Sequence, residues 1–327
     1  MRRHPIALAH VPVFALVACV LGVACGQASS GEGAAGSGAD ASSPAVDGSA
    51  GEDSGGDSGD EAAPAEAGAG TGTRVRIMAA NLTSGTDQSY DTPGIDIFEG
   101  LHPDVVLVQE FTYASGTLDA LVATAFGPDF TYYVEPRTGG IPNGVVSRYP
   151  IAESGVWADA STPDRAFVYA RIDVPGSVDL WAVSVHLLTT GATERATEAT
   201  ALLGYVQSNV PPGDYLVIGG DFNTDTVDEQ ALATLSAVVV TAPPYPADQS
   251  GNTDSSINRN HPHDWVLAGP SLQARGEPVV IGSQSFAAGL VFDSRVYTPL
   301  ADVAPVMLGD SGATGMQHMA VVRDFGM

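Results

Sequence analysis

From position 74 onward the chain alternates short apolar runs with polar interruptions. The runs at 75–80, 104–109, 130–134, 144–147, 166–172, 180–185, 215–219, 263–267, 278–281 and 319–323 have the length and residue types of strands. Spacing closer to a helical period predicts helices at 95–101, 118–126, 193–208 and 228–235. Strands outnumber helices, and several successive strands are joined by short links. That pattern predicts an α/β (α+β) fold of mostly antiparallel sheets with helices packed outside, not a doubly wound parallel sheet. No internal repeat of fixed period is present.

Before position 74 the pattern is absent. Residues 1–25 open with Arg2 and Arg3 and continue with an apolar run, interrupted by Pro12, that is too short for a membrane span of about 20 residues. This is the layout of a signal peptide. Gly22 and Ala24 before Cys25 resemble a lipoprotein cleavage box, and 16–19, ending in Cys19, resemble a second one. Cys25 is preferred because the polar segment begins directly after it. Residues 26–72 are almost wholly Gly, Ala, Ser, Asp, Glu, Pro and Thr, with Val46 the sole large aliphatic. Such a segment buries too little apolar area to offset its chain entropy, so a disordered acidic linker is expected. The expectation is therefore a secreted cell-envelope lipoprotein, held to a membrane by a lipid on Cys25 (or Cys19), with one monomeric domain at 73–327.

Composition removes several chemistries. All 13 basic residues are arginine and none is lysine, which excludes Schiff-base and phosphate-loop lysines. Cys19 and Cys25 are the only cysteines, so residues 73–327 have no disulfide, cysteine metal site or catalytic thiol. That region carries 29 acidic residues and 11 arginines, a formal charge of −18.

Polar residues stand where apolar runs end. Asn81 ends the first run, Gln109-Glu110 the second, and His186 closes WAVSVH. Asp221 and Asn223 follow YLVIGG, Asp264 sits in HDWVL, and His318 opens HMAVV. Each alone reads as a turn residue or a solvated strand end. Together they supply one chemistry. Amide and carboxylate oxygens are hard ligands suited to Mg²⁺, Mn²⁺ or Ca²⁺, and two histidines can exchange protons near neutral pH. Hard ligands plus histidines suit hydrolysis of a phosphate ester.

With IMAANL, PDVVLVQEF, NGVVSRYPI, SVHL, GDFN, DWVL and QHMAV in that order, the chain resembles the endonuclease/exonuclease/phosphatase superfamily, the DNase I-like enzymes. The resemblance spans about 75–325. It implies a four-layer sandwich of two β-sheets flanked by helices and a cofactor of Mg²⁺ or Mn²⁺. By position it implies Asn81 and Glu110 as metal ligands and His186 as a donor to the scissile phosphate. It implies Asp221 as the residue that orients or deprotonates water, with Asn223 as its partner. Asp264 would orient His318, the acid–base histidine. The family's last motif reads Ser-Asp-His; here it reads Met316-Gln317-His318. Gln317 is thus the third expected metal donor, an amide oxygen without charge.

Two further patterns point elsewhere. Gly309-Asp310-Ser311-Gly312 has the letters of a serine-protease nucleophile segment, but the same letters recur at 56–59, and a surface turn is expected. His261-Pro262-His263 suggests a metal pair, but the intervening proline is expected to spoil a common face, leaving a loop into Asp264. The substrate follows less directly. A charge of −18 lacks the basic field of a tight nucleic-acid binder, although Arg137, Arg148, Arg165 and Arg259 could line a local groove. An extracellular nuclease or general phosphodiesterase is the first reading. A lipid or sugar phosphate hydrolase is the second, and a catalytically impaired surface-binding lipoprotein, motivated by Gln317, is the third.

Overall fold

A computed structural model describes residues 72–83, 91–136 and 139–327. The expected signal peptide, the linker up to residue 71 and Arg137 lie outside these residues.

In chain order the elements are β1 (Arg74–Asn81), α1 (Thr92–Leu101), β2 (Val105–Gln109), α2 (Leu118–Ala125), β3 (Thr131–Val134) and β4 (Gly144–Ser147). Next come β5 (Ile151–Trp157), β6 (Phe167–Ile172), β7 (Leu180–His186), α3 (Ala192–Asn209), β8 (Tyr215–Asp221) and α4 (Gln230–Leu235). The last third holds β9 (Asp264–Ala268), α5 (Pro270–Gln273), β10 (Gly276–Glu277), β11 (Val279–Ile281), β12 (Gln284–Phe286), β13 (Leu290–Phe292) and β14 (Ala320–Gly326).

Two large sheets form. One runs β10-β14-β1-β2-β4-β3, with β13 also on β14; the other runs β5-β6-β7-β8-β9. Pairing is antiparallel except for one parallel pair in each, β1 with β2 and β7 with β8. Both parallel pairs have helical crossovers, α1 and α3, as parallel neighbours require.

Period-2 alternation builds the layers. On β8, Val217 joins the core between the sheets, while Leu216 and Ile218 join a second cluster with Leu202 and Val206 of α3 and Leu232 and Leu235 of α4. On the far side Phe98 and Leu101 of α1 and Leu121 and Val122 of α2 pack with the first sheet. The order is helices, sheet, sheet, helices, the expected four-layer sandwich. Both faces of each sheet are covered, so β2, β7, β8 and β9 are buried throughout. A Cβ on Gly219 would lie 2.6 Å from Leu107 Cδ1, which shows how closely the sheets approach there.

Sheet direction decides where chemistry collects. In a parallel pair both C-terminal ends reach one edge, and antiparallel neighbours start at that edge. The register places His186 opposite Asp221 and Asp221 opposite Asp264. In the other sheet Asn81 lies opposite Gln109, and β14, just after His318, runs back along β1.

Candidate active site

Asp221 is the hub. Its Oδ2 accepts from Asn81 Nδ2 at 3.0 Å and lies 3.3 Å from His186 Nε2 and 3.4 Å from His318 Nε2. Its Oδ1 accepts the Asn223 N–H at 2.8 Å. Asn223 is held in turn by donating Nδ2–H to the Leu187 carbonyl at 2.9 Å. Asn81, 140 positions before Asp221, and His318 thus meet on one carboxylate.

His318 is gripped at both nitrogens. Nδ1 lies 3.0 Å from Asp264 Oδ2 and Nε2 faces Asp221. Asp264 is itself fixed by Ser255, whose Oγ donates to Oδ2 and accepts the Asp264 N–H, both at 2.7 Å. Burial alone would lower the pKa of His318. The charges of Asp264, Asp221 and Glu110, with the hydrogen bond to Asp264, overcome that and raise it to about 9. His186 is the opposite case. Burial dominates, the Asp221 charge does not compensate, and the neighbouring Arg165 and His318 charges push the same way as burial, to about 3. Two histidines of one site are therefore held in different protonation states at neutral pH, one cationic and one neutral.

Glu110 follows β2 with φ 53°, and its charge reaches His318. Thr83, Glu110 and Asn223 are three of the five non-glycine residues at positive φ among the described residues. Backbone strain of this kind costs about 1–3 kcal/mol per residue and persists where the surroundings impose it; here it gathers around one site. Gly220, at φ 128°, has no room for a side chain: a Cβ would lie 2.2 Å from the Val185 carbonyl oxygen and 2.4 Å from Gln109 Nε2. Gln317 stands apart from this set. Its side chain is exposed, and its carbonyl accepts from Ile257 N–H at 2.8 Å. Seven of the eight expected residues thus lie at this edge with their side chains or charge turned to it.

The donor set is suited to a hard divalent cation. The Asn81 amide oxygen accepts one hydrogen bond, from Thr83 N–H, and a carbonyl has a second lone pair. Asp264 Oδ1 is buried without a hydrogen-bond partner among the described residues, and Asp221, Asp264 and His318 present ligand atoms within 4.8 Å of one another.

Several residues take places that the sequence did not signal. Arg165 is buried and donates Nε–H to the His186 carbonyl at 2.6 Å and Nη2–H to that of Leu187 at 3.2 Å. It is therefore a brace under His186 and not part of a basic groove. Arg259 is likewise committed to ion pairs, with Asp248 and Asp293, both at 2.8 Å, and Arg148 pairs with Asp104 at 2.9 Å. Glu198 on α3 accepts Leu188 N–H at 2.9 Å; burial and a hydrogen bond with Asp159 raise its pKa to about 8.

A model of the Endonuclease/Exonuclease/phosphatase family matches residues 95–289. No curated protein sequence matches the chain. Among solved structures, humanized TDP2 from D. rerio is similar with a TM-score of 0.51 and 17% identity, covering 78% of this chain and 99% of that one. An endonuclease/exonuclease/phosphatase from Bacteroides vulgatus gives 0.54 and 15%, over 78% and 99%. An AP endonuclease from Archaeoglobus fulgidus gives 0.50 and 14%, over 77% and 100%. At these identities the likeness establishes a shared fold.

Proposed function

Because the chain belongs to the endonuclease/exonuclease/phosphatase family, whose members are metal-dependent phosphoric ester hydrolases, we propose that its Asp221-centred site hydrolyses phosphodiesters with Mg²⁺ or Mn²⁺. The observation that carries this reading is the convergence of Asn81, His186 and His318 on Asp221 Oδ2. Asp221 takes the proton of an attacking water while its neighbours hold the carboxylate in place. His318, cationic and oriented by Asp264, gives Nε2–H to a phosphoryl or leaving oxygen. Neutral His186 offers a second hydrogen bond at the phosphate, and Asn223 steadies both Asp221 and the bound group. Asn81 and Glu110 would hold the cation; the expected third donor, Gln317, stands apart with its side chain exposed. When bound, the cation neutralises charge on the phosphoryl group.

For the substrate, an arginine census favours small phosphodiesters and short nucleic acids over long polyanions. Each described arginine already has a carboxylate or carbonyl partner, as in Arg171–Asp179, Arg195–Glu229, Arg295–Asp293 and Arg275 with the Gly326 carbonyl. Hydrolysis of plasmid DNA, RNA, bis-p-nitrophenyl phosphate and sphingomyelin, with Mg²⁺ and then with EDTA, tests this. Turnover that is abolished by EDTA and restored by Mg²⁺ is expected, with Glu110→Gln needing more metal. Turnover unchanged by EDTA would refute the metal reading, and no turnover of any substrate would leave a binding protein. An extracytoplasmic location with a lipid on Cys25 (or Cys19) belongs to the same proposal. Mass spectrometry of the mature N-terminus decides it, an unmodified Met1 being the contrary result.

A further inference from the structure

A second cluster stands beside the hydrolytic centre and is used by none of the steps above. One ring nitrogen each of His261 and His263 and one carboxylate oxygen of Asp225 lie within 4.8 Å of one another. The proline between the histidines does not separate them, contrary to the expectation from sequence. The two rings stack with centroids 5.5 Å apart and planes within 6°, because the loop folds against the end of β8.

That loop is pinned along its length. Phe222 N–H donates to the His263 carbonyl at 2.7 Å, and Ser255 and Ser256 N–H to the His261 carbonyl at 2.9 and 3.0 Å. Thr224 Oγ1 donates to the Pro262 carbonyl and accepts from Trp265 Nε1 at 2.9 Å. His261 N–H donates to Ser256 Oγ at 3.1 Å. The ligand-bearing backbone is therefore set before any ligand arrives, as a binding site requires.

The side chains are also prepared. His261 Nδ1 lies 3.1 Å from the Asp225 carbonyl oxygen; donating there leaves the lone pair on Nε2, the arrangement by which metal-bound histidines are commonly oriented. Buried Arg195 holds Asp225 Oδ2 at 2.8 Å, and Oδ1 remains, 3.9 Å from His261 Nδ1. The His263 ring makes no hydrogen bond among the described residues, and its centroid lies 5.8 Å from that of His318, with the planes tilted by 49°.

We propose that Asp225, His261 and His263 form a divalent transition-metal site, distinct from the hard-oxygen site at Asn81 and Glu110. Two imidazoles and a carboxylate favour Zn²⁺ over Ca²⁺, Mg²⁺ or Mn²⁺, and three protein ligands leave a coordination position open. Resting on the hydrolase reading, that open position takes a non-bridging phosphate oxygen of the substrate. It supplies positive charge next to His318 that the committed arginines do not.

Isothermal titration calorimetry with Zn²⁺ on the full chain, in excess Mg²⁺ to fill the hard-oxygen site, tests the proposal. One Zn²⁺ equivalent is expected, retained in His318→Ala and Glu110→Gln. In His261→Ala and Asp225→Asn its binding should weaken by more than the roughly 10–100-fold that loss of an outer partner costs. Visible absorption of bound Co²⁺ should disappear in the same two variants, with thermal melting as the folding control. Zn²⁺ binding that survives in both variants, or is lost in His318→Ala alone, would overturn it, as would no binding in the wild type. Absent Zn²⁺ binding with intact Mg²⁺-dependent hydrolysis defeats this inference alone; Zn²⁺ binding without hydrolysis defeats the hydrolase reading alone.

Discussion

Replacing Asp264 by Asn changes one charge and almost no volume, and its effect should be read at His318. Asp264 Oδ2 stands 3.0 Å from His318 Nδ1, and Asp221 Oδ2 3.4 Å from Nε2. At an effective dielectric of about 20, each carboxylate attracts the imidazolium by roughly 5 kcal/mol. Burial opposes both. The net rise from 6.5 to about 9 corresponds to roughly 3 kcal/mol. Losing Asp264 alone exceeds that surplus, so His318 in Asp264→Asn should titrate below 6.5 and be neutral at pH 7. The assay is NMR titration of the histidine ring signals in metal-free protein, with His318 assigned by the signal missing in His318→Ala. Hydrolysis at neutral pH should fall by about 10²–10⁴, as for a lost acid–base group. A variant whose His318 still titrates near 9, or a wild type in which it titrates near 6.5, would refute the reasoning.

Three further outcomes are expected. His186, held at about 3 when folded, contributes stability that is present above 6.5 and lost as pH falls toward 3. His318, at about 9, contributes stability that is present below 6.5 and lost as pH rises through 9; metal-free melting temperature should therefore peak near the ordinary histidine value, and a profile without these slopes would contradict both assignments. Glu198, raised to about 8, adds stability below 4.5 that is lost as pH rises through 8, so Glu198→Gln should melt with a smaller drop between about pH 6 and about pH 9; an unchanged drop counts against the raised Glu198 carboxyl. Gly220→Ala should destabilise by about 3 kcal/mol or more, measured by denaturant unfolding, because the added methyl meets the Val185 carbonyl and Gln109 at once.

The strands that build the site were legible because they are buried on both faces and read as unbroken apolar runs. β4 matches the expected 144–147, and β1, β2, β7 and β8 differ from expectation by one or two residues at an end. β5 was not legible: it is an edge strand, IAESGVW, with mostly partly exposed or exposed residues and no apolar signal. The two- and three-residue strands β10 and β13 exist through pairing with the distant β14, which local pattern does not encode, and β12 is a three-residue partner of β11 in a local hairpin with no apolar run of its own. Within the site, residue types at strand ends identified Asn81, His186, Asp221 and His318. The register that makes Asp221 their meeting point is a property of the sheets. The parallel stacking of His261 and His263 was hidden for a similar reason, since backbone bonds to Phe222, Ser255 and Ser256 override the local effect of Pro262.

The position of β14 has a consequence for when activity can exist. This strand lies between β1 and the short strands β10 and β13, pairing along β1 from Arg74↔Gly326 to Ala79↔Val321. Its pairing joins segments far apart in sequence, and such closures come slowly because chain entropy must be surrendered before contacts reward it. A chain emerging in order holds Asn81, Glu110, His186, Asp221 and Asp264 before it holds His318. Such a chain has a gap beside β1 and no imidazolium beside Asp221. On the proposed function, hydrolytic competence waits for the insertion of a strand that also completes the sheet. A nascent molecule that has not yet paired β14 with β1 lacks His318 beside Asp221, so the act that finishes the fold would be the act that arms the site.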